Sequence, residues 1–153
     1  MTRVLVAGVG NLFFGDDAFG VEVARRLAPA PPPGATVTDF GIRAIHLAYE
    51  LLNPVDLCIV VDCMPRGGTP GTLYVLEPEH DSFAGAVADA HAMSLPVVFA
   101  AVRELGGTMP RTLIVGCEPA EVEPGMGLTP AVERAVPEAL ALIHELVTKE
   151  ANP

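Results

Sequence analysis

Three places in this sequence carry side chains that could do chemistry together: the adjacent acids Asp16 and Asp17, the single acid Asp62, and His91. Two carboxylates and an imidazole can hold a first-row divalent metal and leave coordination positions open. The spacing 17…62…91 is no local metal motif, and nothing like HExxH is present. The set exists only if the fold gathers it. Each residue also has an ordinary structural role. An aspartate ahead of a helix caps it and suits its dipole. Asp62 can close a turn by bonding nearby backbone. A lone loop histidine is usually solvated. Two adjacent acids exceed what one cap needs, and side chains one residue apart point in different directions. One of the pair is therefore free to face a crevice.

The elements around these residues would put them at one place. Val4–Ala7 is a short apolar run rich in β-branched residues, suited to a strand buried on both faces. Gly8, Gly10 and Asn11 then allow a tight turn. Asp16-Asp17 follow, and Val21 to Leu27 reads as a helix. Strand, glycine loop, helix is how an open parallel α/β sheet begins, and loops leaving the carboxyl ends of its strands face the ligand crevice. Leu57–Val61 is a continuous apolar run, a central buried strand that delivers Asp62 to the same rim. His91 lies in the loop ahead of a helix capped by Ser94.

The remaining chain completes this pattern. Ala35–Asp39 alternates as a second strand and Gly41 ends it. Ile45, Ala48, Tyr49 and Leu52 recur at helical spacing until Asn53-Pro54. Thr72–Leu76 follows the third strand too closely for a crossover helix and is expected to be an antiparallel edge strand. Residues 77–93 read as a surface loop. Val98, Val102 and Leu105 mark a helix ended by Gly106-Gly107. Thr112–Val115 is another buried strand. Thr129-Pro130 opens a last helix with an apolar stripe from Val132 to Val147, kinked at Pro137. The expected architecture is α/β: a single three-layer αβα domain over residues 1–153, with about five strands, mostly parallel, and one antiparallel edge strand.

Composition sets outer bounds. The 153 residues fit one domain, and 50% hydrophobic content supplies a core. The formal net charge of −10 argues against a nucleic-acid partner. No apolar run has transmembrane length. Met1-Thr2-Arg3 leads straight into the first strand without a signal-peptide pattern. Cys58, Cys63 and Cys117 are odd in number and form no CxxC pair, which predicts reduced, packing thiols and a cytoplasmic location. Gly8-x-Gly10 with Asp39 mimics a dinucleotide fingerprint, but the third glycine position is Phe13, and Asp16-Asp17 would repel a pyrophosphate.

The chain resembles the hydrogenase maturation proteases, endopeptidases that trim the C-terminus of the large subunit of nickel–iron hydrogenases. The resemblance runs almost end to end: GVGNLFFGDDAFGV at 8–21, DFG at 39–41, VVDC at 60–63, GGTPGT at 67–72, HAMSL at 91–95 and GCEPAEVEPGMGLTPAV at 116–132. It implies an αβα domain and a metal site made of Asp17, Asp62 and His91, with Asp16 left as a cap or a supporting acid. It implies that the metal is nickel already inserted in the precursor, with zinc or cadmium as surrogates. Cleavage would then check metal insertion. The working mechanism is hydrolysis by a metal-polarised water with a carboxylate as general base; the alternative is a metal that only positions the substrate. Asp17 stands where some members have glutamate, and Ala18 where many have glycine. The loop at Phe40-Gly41-Ile42 and the stretch 77–90 are expected to face the precursor. A monomer is expected. A non-catalytic binding module or chaperone for the same precursor is the second reading.

Overall fold

The computed structural model describes residues 2–79 and 94–151. Five strands form one sheet: β1 (Val4–Val9), β2 (Ala35–Gly41), β3 (Leu57–Cys63), β4 (Leu73–Leu76) and β5 (Arg111–Cys117). Their order is β2-β1-β3-β5-β4. The pairs β1–β2, β1–β3 and β3–β5 are parallel, and β4 runs antiparallel to β5 at the edge. This is the predicted α/β sheet, including its antiparallel edge strand.

The helices are α1 (Phe19–Leu27), α2 (Ala44–Glu50), α3 (Leu95–Glu104) and α4 (Pro130–Ala151). Strand alternation sends side chains to two cores. Val4, Val6, Leu57, Ile59, Val61 and Val115 pack with α1 and α4. Leu5, Ala7, Val9, Cys58 and Val60 pack with α2 and α3. Helices therefore cover both faces, as parallel sheets require. By the same alternation Asp62 belongs to the α2/α3 face and Cys63 to the other.

Three local expectations shift. A 3-10 turn over Gly15–Ala18 precedes α1, which starts at Phe19 rather than Val21. Helix α2 is rotated from the predicted face. Leu47, Ala48 and Leu51 are buried, whereas Ile45, Tyr49 and Leu52 are exposed. Apolar residues surround this short helix, so spacing allowed two faces and packing against the sheet chose Leu47. In α3, Val98 and Val102 are buried as expected, but Leu105 is exposed. Ser94 does cap α3, its hydroxyl accepting the Val97 amide at 3.4 Å, and Gly106 ends it at φ +85°. Helix α4 continues through Pro137.

The close fit of α1 to the sheet depends on Gly20. A Cβ there would lie 2.0 Å from the Val61 carbonyl oxygen and 2.4 Å from that of Val9. Both obstacles are strand backbone, so neither can swing away. Gly20→Ala is expected to cost at least about 2 kcal/mol through overpacking. Urea denaturation should show a lower midpoint at unchanged slope.

Candidate active site

The first loop is shaped to present Asp17. Gly10 adopts φ +135°, and a Cβ on it would fall 1.9 Å from the Asp17 carbonyl oxygen. The chain can thus fold back over itself, and the Asn11 amide donates to Asp17 Oδ2 at 2.8 Å. Asn11 Oδ1 accepts the Phe13 amide at 2.9 Å, which tightens the same turn. The Asn11 amide is therefore already occupied by a carboxylate, and it is not open to a pyrophosphate.

Asp62 stands at the carboxyl end of β3, opposite Gly116 of β5. Its Oδ1 accepts the Cys63 amide at 2.8 Å. Burial pushes its pKa up to about 8, the Asp17 charge pushes the same way, and the Cys63 amide only partly opposes them. Asp17 and Asp62 thus act on each other at one rim, as the strand and loop placement predicted. The side chain of Asp62 opens onto a cleft of about 290 Å3 on the α2/α3 face, which Ser94 at the start of α3 also lines. His91 lies outside the described residues. Among the described residues, no three His, Cys, Asp or Glu side chains are grouped to hold a metal.

Asp16 does something the sequence did not reveal. It is fully buried, and it caps neither the 3-10 turn nor α1. Its carboxylate instead accepts the amides of Ala120 at 2.8 Å, Glu121 at 3.0 Å and Thr129 at 2.8 Å, and the Thr129 hydroxyl at 2.7 Å. Burial alone would raise its pKa, but these donors outweigh it and hold the carboxyl below the usual range. The backbone adds to the tie: Gly15 donates to Gly125, Asp16 to Glu121, and Gly125 to Phe13.

Glu118, also missed, does the same for the other side of the rim. Its carboxylate accepts the Arg66 amide at 2.9 Å, the Gly68 amide at 2.8 Å and the Tyr74 hydroxyl at 2.7 Å. The Tyr74 hydroxyl, more than the amides, holds it below its ordinary pKa. The available signal was its place directly after β5, at the same end as Asp62. The three cysteines are free. Burial, reinforced for Cys63 by Asp17, Asp62 and Asp16, pushes the thiols up to about 12. None of them is a thiolate nucleophile near neutral pH.

An open, mostly parallel α/β sheet with two interacting acids at the carboxyl ends of β1 and β3 defines the class: an α/β protein with an acid-pair site at its crevice. A family model described as hydrogenase maturation protease matches residues 21–146. A hydrogenase expression/formation protein, HupD of Rhodobacter capsulatus, is 33% identical over 91% of this chain and 68% of its own length. The hydrogenase 2 maturation protease of Escherichia coli is 31% identical over 90% of this chain and 86% of its own. The solved structure of the hydrogenase maturating endopeptidase HybD from E. coli superposes with a TM-score of 0.81 at 29% identity, covering 97% of this chain and 94% of that one. The chain belongs to the hydrogenase maturation protease family. Among the described residues, no helix is long and apolar enough to cross a membrane.

Two measurements follow from the acids. The folded pKa of Asp62 is raised, so between about pH 4 and 8 the folded state holds a proton that the unfolded state has lost. Stability should therefore fall as pH rises through that window. In chelator-treated protein, Asp62→Asn should be more resistant to urea than wild type at pH 8, with the gap closing by pH 5. Asp16 has the opposite sign. Its contribution is present above the unfolded carboxyl pKa and is lost as pH falls through the lower folded value. Asp16→Ala leaves three amides and a hydroxyl without an acceptor and should cost at least about 3 kcal/mol. Hydrogen exchange should speed up first at Ala120, Glu121 and Thr129.

Proposed function

We propose that this protein is an endopeptidase that removes a C-terminal extension from the large-subunit precursor of a nickel–iron hydrogenase after nickel has been inserted. The observation that carries this reading is the acid pair itself. Asp62 is partly buried, its Oδ2 accepts no hydrogen bond among the described residues, and Asp17 repels its charged form. A pair so placed is relieved by a cation. The donor set of carboxylates suits a divalent metal that keeps open positions.

In this reading the nickel is part of the substrate, still held by the precursor, and Asp17, Asp62 and His91 complete its surroundings. Zinc or cadmium can stand in for it. Ser94 lines the cleft beside Asp62, and three residues of chain span at most roughly 11 Å from Ser94 back to His91. When bound, a divalent ion would supply positive charge that polarises the attacking water. The carboxylate oxygen of the pair that is not engaged takes the proton of the attacking water. The precursor faces the rim through Phe13 and Ile42, which are exposed and share one groove, together with the stretch 77–90. The protein acts as a cytoplasmic monomer.

Incubation of wild-type protein with nickel-loaded precursor should release a C-terminal peptide detectable by mass spectrometry. Asp17→Asn, Asp62→Asn and His91→Ala should each slow release by about 100-fold or more. Cleavage by Asp62→Asn at the wild-type rate would falsify the mechanism. Tight binding of loaded precursor with no released peptide would replace it with the chaperone reading.

A further inference from the structure

Four large apolar side chains stand in water on the loops beside the acid pair. Phe13 and Phe14 belong to the first loop, Val122 and Met126 to the segment after β5. Met126 is 69% exposed and Phe13 62%, and Val122 and Phe14 are also exposed. One such side chain needs no explanation, but four on two touching segments mark an interaction surface. We infer that they form a docking ridge for the folded body of the precursor, away from the bond to be cut, and that the matching precursor surface is apolar and bordered by Lys or Arg. The inference rests on the protease reading and names how its substrate is held.

The ridge is held stiff before any partner arrives. Phe14 and Gly125 form a parallel bridge. The Gly125 amide donates to the Phe13 carbonyl at 2.8 Å, and the Gly15 amide to the Gly125 carbonyl at 2.9 Å. Gly15 adopts φ +54° and packs so closely that a Cβ on it would lie 2.9 Å from the Glu121 carbonyl oxygen. The buried Asp16 carboxylate adds its bonds to Ala120, Glu121 and Thr129. Binding therefore orders little further backbone, which spares affinity. The same loop carries Asp17, three positions after Phe14 and at most roughly 11 Å along the chain. A protein seated on the ridge also covers the rim where the cut is made.

Shape and charge choose the occupant. Residues 121–127 are exposed throughout, and a Cβ added at Gly125 or Gly127 would meet nothing within 4 Å among the described residues. This segment projects. An extended peptide is taken up by a groove or a strand edge, whereas a projecting ridge needs a preformed concave surface. The folded body of the precursor can supply one; the extension that is removed cannot. Glu121 and Glu123 border Val122, and the chain carries a formal net charge of −10. An acidic border on the partner would be repelled, and a cationic one completes the contact.

The test uses the full chain, nickel-loaded precursor and the processed subunit without its extension. Met126→Glu and Val122→Glu should each raise KM for the precursor by about 10-fold or more, with kcat within about two-fold of wild type. Met126→Leu should keep the wild-type KM. The processed subunit should compete with precursor for wild type, and about 10-fold less well for Met126→Glu. Glu121→Lys combined with Glu123→Lys should lower kcat/KM at low salt and flatten its salt dependence. A wild-type KM in both glutamate variants overturns the inference, as does a processed subunit that does not compete; an unchanged salt dependence overturns the cationic border. If Met126→Glu does not fold, Val122→Glu decides alone. Calorimetric titration separates this inference from the protease reading. Precursor bound through the ridge but never cut removes the protease reading and keeps the ridge, and precursor cut with a KM indifferent to the ridge does the reverse.

Discussion

Asp16 has no exposed surface, yet its carboxyl is held in the charged form. A buried charge is tolerated only where hydrogen bonds replace the water it lost. Here the donors come from residues 120, 121 and 129, more than 100 positions along the chain. The charge therefore makes the first loop and the segment after β5 mutually dependent: neither can move without stranding either a carboxylate or its amides. The backbone bonds between Gly15 and Gly125 and between Phe13 and Gly125 continue the tie. Asp17, one residue on, inherits its position from this anchor.

Glu118 extends the same principle across the rim. Its carboxylate gathers the turn after β3 and the start of β4, and its backbone pairs with Gly71 and Thr72. The guanidinium of Arg66 lies 5.5 Å from the Tyr74 ring centre, which adds a cation–π contact at the same place. The short edge strand β4 is thereby held to β5 by more than its ladder. Asp62, at the end of β3, lies between two segments that are each pinned by a buried acid.

The sheet was legible because its signals are local and agree. Uniformly apolar runs gave β1, β3 and β5, glycine and proline clusters marked their ends, and the short gap before β4 fixed its direction. The joint placement of Asp17 and Asp62 followed from topology. Asp16 and Glu118 were not legible in the same way, because a hydrogen-bonding acid and a solvated one look alike until distant amides are brought to them. The buried face of α2 was hidden for a different reason. With Ile45, Leu47, Ala48, Leu51 and Leu52 spread around a helix of two turns, periodicity could not choose, and contact with β1 and α3 did. The assignment of His91 falls outside the described residues.

Four acids at this end of the sheet fall into two kinds, and the distinction is physical. Asp16 and Glu118 each accept several protein donors, which offset the cost of burial and bring their pKa values down. Among the described residues, Asp17 and Asp62 each accept a single amide. In Asp62 that is too little to offset burial, so its charge remains costly. A carboxylate with a full set of protein donors has nothing left to offer a ligand; one held in place but undersupplied can still bind a cation or take a proton. The fold uses the satisfied acids to hold Asp17 and Asp62 still, and that pair is set apart by how few donors the described residues supply to it.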